Sequence, residues 1–132
     1  MYDWILHTII SEQLLPDKVT DSRELNQVGK LLFPNRWLGV FSADTIPSKE
    51  GFYIVNTDIS NGPGEHWVAG YNKGRQRYLY DSFGRTARDL PWQATYTDPD
   101  PERSRAETNC GARAMAWLVY TQHFGIKRGL QI

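Results

Sequence analysis

The chain has one cysteine, three histidines and no excess of either charge, with 15 basic and 15 acidic residues. A single cysteine excludes an intramolecular disulfide and the stapled scaffolds of small secreted domains; it suits a reducing, intracellular compartment. Balanced charge leaves no overall positive field to hold nucleic acid. Lys127-Arg128 and the segment from Arg103 to Arg105 are only local basic spots. The opening MYDWILHTIISEQLL lacks the basic start and long apolar run of a signal peptide, being interrupted by Asp3, His7, Ser11 and Glu12. No apolar run approaches a membrane span, so a soluble protein is expected. Scattered histidines and a lone thiol have no metal-ligand spacing; neither a metal nor a cofactor is expected. Internal repeats and low-complexity tracts are missing too.

What is present reads as one domain. A chain of 132 residues can bury about two-thirds of its unfolded surface in a single core. Trp4, Ile5, Ile9 and Leu15 suggest an amphipathic helix over residues 1–16, stopped by Pro16. Asp21, with Glu24 as capping-box partner, predicts a second helix whose Leu25, Val28, Leu31 and Leu32 recur at helical spacing until Pro34. Trp37 to Phe41 and Phe52 to Asn56 read as short strands. Helices, then strands, then a last helix predict an α+β fold with an antiparallel sheet.

Trp67 to Tyr71 and Gln76 to Tyr80 read as a β-hairpin around Asn72-Lys73-Gly74-Arg75. Pairing Tyr71 with Gln76 would set His66 directly opposite Asp81, with Cβ atoms roughly 4.5–5.5 Å apart. A carboxylate there would fix the imidazole tautomer and favour the imidazolium. Taken alone, the pair reads more readily as an ordinary cross-strand ion pair, because exposed His and Asp are common on strand ends.

The segment ETNCG precedes ARAMAWLVYTQHF, in which Ala112, Met115, Ala116, Val119 and Tyr120 trace one helical face before Gly125. Cys110 therefore falls at the N-terminus of an apolar, central helix. Free N–H groups and the positive dipole end there favour a thiolate and can stabilise an oxyanion. Gly111 leaves space for a substrate backbone beside the sulfur. A lone cysteine is more often a small buried hydrophobe. At a helix start, in a chain that also offers an opposed His and Asp, it fits a set of nucleophile, base and orienter: Cys110, His66 and Asp81. His7 and His123 lie within helices and are assigned structural roles.

The order His, Asp, Cys, with Trp67 after the histidine and Gly111 after the cysteine, resembles the adenovirus-type maturation proteases, a clan shared with the ubiquitin-like-protein proteases. The similarity extends through ELNQVGKLLFPNRWLGVFSADTIP, FYIVNT, GEHWVAGYN, RYLYDSFGR and NCG, from about residue 22 to 124. It implies an adenain-like, rearranged papain-type core over 22–124 within a single domain 1–132, the helix of residues 1–16 being an addition. The implied activity is a thiol endopeptidase acting on viral capsid or core precursors at glycine-containing sites, with Trp67 beside the catalytic ring and Phe83-Gly84 shaping the turn after Asp81. A monomer is expected, in the host cell's reducing compartment or packaged in the virion.

Three departures from the family pattern bear on this. The glutamine that usually lies six or seven residues before the cysteine is replaced by Ser104 or Arg103, so the oxyanion donor is open between Arg103, Asn109 and Gln93, with the Cys110 backbone N–H the safest member. The family's disulfide-linked activating peptide has no second cysteine to join, so an activating peptide would bind without one. Few residues follow Cys110, and the N-terminal helix is a candidate source of the missing packing. Two other functions use the same residues: an isopeptidase for ubiquitin-like modifiers, and a catalytically inactive binding module.

Overall fold

The computed structural model describes residues 2–12, 14, 21–56, 66–81, 96–97 and 110–129. Helix α1 (Tyr2–Ser11) buries Tyr2, Ile5, Leu6 and Ile9, a stripe with the i, i+3, i+4, i+7 spacing of one helical face. Trp4, expected on that face, lies beside it and is 66% exposed. Pro16, the expected stop, lies outside the described residues, and the helix ends earlier, at Ser11.

Helix α2 (Ser22–Leu32) carries the anticipated capping box: the Glu24 N–H donates to Asp21 Oδ1 at 2.8 Å, and the Asp21 N–H to Glu24 Oε1 at 3.1 Å. Leu25 and Val28 are buried, whereas Leu31 is 68% exposed because it lies off the Leu25–Val28 stripe.

Among the described residues five strands follow in sheet order β1-β2-β3-β4-β5: β1 (Trp37–Phe41), β2 (Gly51–Asn56), β3 (Trp67–Lys73), β4 (Gln76–Tyr80) and β5 (Tyr96–Thr97). The α+β class holds, but the sheet is mixed rather than antiparallel. Only β2, β3 and β4 run antiparallel; β1 lies parallel to β2, and β4 to β5. Residues 42–50 can span up to about 30 Å when extended, enough to return the chain to the starting end of β1 before β2 begins.

β2 is buried along its whole length. Its alternation sends Phe52 and Ile54 to the face covered by the helices, and Tyr53 and Val55 to a second face, where Val68 and Leu79 join them under Leu38, Phe41, Ala43 and Ile46. On that second face Asn72 Nδ2 donates to the carbonyls of Pro47 and Lys49, and Arg77 Nη2 donates to Pro47, which pins the segment after β1 to the sheet.

The β3–β4 hairpin turns on Gly74-Arg75 alone. Gly74 has φ 59°, the positive value that a two-residue hairpin loop demands. Pairing therefore continues out to Lys73 and Gln76, and the register is not the expected one: Tyr71 faces Tyr78, and Ala69 faces Tyr80.

Helix α3 (Cys110–Phe124) packs on β3 and α1. Ala112, Ala114, Met115, Ala116, Trp117 and Leu118 are all buried, so apolar contacts nearly surround it, as a central helix requires. Val119 and Tyr120 are half-buried rather than fully inside. Gly125, with φ 86°, caps it by donating its N–H to the Thr121 carbonyl. A short helix α4 (Ile126–Gly129), not anticipated from the sequence, folds back so that Trp117 Nε1 donates to the Gly129 carbonyl at 2.8 Å.

Candidate functional site

The ladder pairs Asn56 with Trp67 and Ala69 with Tyr80, so the C-terminal ends of β2 and β4 and the start of β3 lie together at one end of the sheet. His66 immediately precedes β3 and Asp81 immediately follows β4. They are not the directly opposed partners expected, because the tighter turn shifts the register. Their side chains meet nevertheless. His66 Nε2 lies 2.5 Å from Asp81 Oδ1, and the two residues are only 2% and 0% exposed.

Continued past Trp67 and Tyr80, the pleat would aim both residues toward the Val68 and Leu79 face, away from α3. Both lie outside the ladder, however, and His66 makes a side-chain hydrogen bond with Cys110 at the first residue of α3. Since Nε2 is engaged by Asp81, Nδ1 is the ring nitrogen that faces the thiol. The structure therefore brings His66, Asp81 and Cys110 together from three elements.

The electrostatics follow from this placement. Burial alone would push the His66 pKa down, but hydrogen bonding with Asp81 and Cys110, reinforced by their charges, outweighs it and raises the value above the ordinary 6.5. Cys110 is half-buried. It also lies at the first residue of α3, where the helix dipole favours negative charge. A thiol beside an imidazole whose other nitrogen is held by a buried carboxylate can act as a nucleophile paired with a base.

Trp67 is half-buried and packs against the helix-side core, next in sequence to His66. Gly111 is buried as the second residue of α3. Arg103, Asn109, Gln93, Phe83 and Gly84 lie outside the described residues. His7 and His123 are exposed on α1 and at the end of α3, apart from this cluster. Among the described residues, no group of three or more His, Cys, Asp or Glu side chains is placed to hold a metal ion, and no helix is long and apolar enough to cross a membrane.

One contact was not signalled by any sequence pattern. The Tyr2 hydroxyl lies 2.9 Å from that of Tyr80, the residue before Asp81, and donates to the Arg113 carbonyl in the first turn of α3 at 3.3 Å. No protein-family model matches the chain, and no curated protein matches it either.

Proposed function

We propose that the chain is a cysteine endopeptidase in which Cys110 is the nucleophile, His66 the general base and acid, and Asp81 the group that orients His66. The observation that carries this reading is the position of His66 between the Asp81 carboxylate, 2.5 Å from Nε2, and the thiol of Cys110 at a helix start.

In this mechanism His66 Nδ1 takes the thiol proton, and the sulfur forms a bond to the scissile carbonyl carbon. The displaced π electrons move onto the oxygen, which the Cys110 backbone N–H stabilises in this reading, with Arg103 or Asn109 as the second donor. Collapse breaks the C–N bond, and His66 gives its proton to the leaving amine. Water, deprotonated by His66, then attacks the thioester; the C–S bond breaks and the thiolate recovers the proton.

The resemblance of residues 22–124 to adenovirus-type maturation proteases extends the proposal to an adenain-like core and to capsid or core precursors as substrates, cleaved at glycine-containing sites. The test is incubation of the purified chain with candidate capsid precursors encoded beside it, followed by mass mapping of the products. Defined cleavage lost in both Cys110→Ala and His66→Ala is expected. Cleavage that persists in Cys110→Ala, or none in any precursor together with an unreactive thiol, would overturn it.

A further inference from the structure

We infer that Tyr2 is a positioning residue whose hydroxyl ties the end of β4, which leads directly into Asp81, to the first turn of α3, which carries Cys110; the inference rests on the cysteine-peptidase reading. Tyr2 is 6% exposed and belongs to α1, the helix that stands outside the region resembling a protease core. Its hydroxyl has one proton; given to the Arg113 carbonyl at 3.3 Å, it leaves Tyr80 as the donor in the 2.9 Å pair, in which either hydroxyl can donate. Tyr80 and Asp81 are adjacent, and Arg113 lies three residues beyond Cys110, on the same side of the helix.

A second contact already couples the same elements. The Tyr80 ring stacks on Trp117, centroids 5.6 Å apart and 7° between planes. Stacked rings can slide in their common plane, whereas two directional hydrogen bonds through one hydroxyl oxygen cannot without breaking. The Tyr2 link thus fixes the remaining freedom between the carboxylate side of the site and the thiol side. Helix α1 holds it there by burying Ile5, Leu6 and Ile9 against the helix-side core.

The test compares the full chain with Tyr2→Phe, which keeps the ring and deletes only the hydroxyl. Two quantities are read: the rate of Cys110 alkylation by iodoacetamide at pH 7, and the downfield proton resonance of the His66 ring N–H held by Asp81. Tyr2→Phe should stay folded, lose ~10-fold in alkylation rate and shift or broaden the His66 signal, since misplacement by about 1 Å costs up to ~100-fold. Ile9→Val, which loosens the far end of α1 without touching the hydroxyls, should change neither. A folded Tyr2→Phe with wild-type rate and signal, or an equal loss in Ile9→Val, would overturn the inference. Should Tyr2→Phe fail to fold, Tyr80→Phe decides, because it removes the link on the other side: the same loss supports the inference and an unchanged rate overturns it. A wild-type thiol that reacts as an ordinary one sinks the peptidase reading and this inference together. An activated wild-type thiol indifferent to Tyr2→Phe and Tyr80→Phe sinks this inference alone.

Discussion

His66 Nε2 and Asp81 Oδ1 are 2.5 Å apart although the two residues are not cross-strand partners and neither belongs to the ladder. Residues at the ends of adjacent strands, freed from the pleat, can converge on a third element. Here that element is the start of α3.

The first consequence is a titration. Measured by NMR, the His66 ring should titrate above 6.5 in the folded chain, and Asp81→Asn should bring it down, because burial continues to oppose the charge after the carboxylate has gone. A folded-state pKa above the unfolded value means that the folded chain binds the proton more tightly. The resulting stability is fully present below about pH 6.5 and is lost as the pH rises through the raised value. Thermal melts across that window should show the loss in the wild type and a smaller one in Asp81→Asn. A His66 titration unmoved by the substitution would contradict the geometry.

Asp81→Asn should also lower peptide turnover on the order of 100-fold or more while leaving the fold intact, because an amide can bond the ring but does not stabilise imidazolium. Steady-state kinetics should place the loss in kcat. Unchanged activity in a folded variant would return Asp81 to the role of a buried ion-pair partner.

Activation of the thiol should be visible without any substrate. Alkylation of Cys110 by iodoacetamide should proceed at pH 6 to 7, below the ordinary thiol pKa of ~8.5, and His66→Ala should slow it. Identical profiles in the two proteins would remove the basis for a nucleophile and base pair.

Arg103 offers a separate test. If its guanidinium serves the oxyanion, Arg103→Ala should cost ~100- to 1,000-fold in turnover with little change in KM, and Arg103→Gln should retain activity. Indifference to both substitutions would shift the role to Asn109 and the Cys110 backbone.

The last prediction concerns stability away from the site. Asn72 is 3% exposed; its Oδ1 accepts from the Tyr53 hydroxyl at 2.8 Å and its Nδ2 donates to two carbonyls of the segment between β1 and β2. Asn72→Ala should destabilise the chain by about 2–3 kcal/mol, since it strands buried polar groups. Asn72→Asp should be as damaging, because a carboxylate cannot donate to those carbonyls. Urea denaturation measures both.

Local chemistry was legible in the sequence. The capping box at Asp21 and Glu24, the strands 37–41 and 76–80, and the helix beginning at Cys110 each follow from interactions a few residues apart, which the sequence states directly. So did the three residues of the candidate site, since a polar His, Asp or Cys beside an apolar run marks itself. The exposed Trp4 and Leu31 show the limit of periodicity: apolar residues one position off a stripe look the same in sequence as those on it.

What the tertiary structure decided was relative placement. Whether the hairpin closed over two residues or four rested on the φ of Gly74, and that choice moved the whole register by two. The parallel outer pairs of the sheet depended on where long connections return. The bond from Tyr2 to Tyr80 and to the Arg113 carbonyl joins residues 78 and 111 positions apart. No local rule links such positions, because only the packing of α1 against α3 and the sheet brings them within reach of one hydroxyl. The meeting of His66 with Cys110 has the same origin: the sequence determined the chemistry of each group, and the packing of α3 on β3 determined that they face one another.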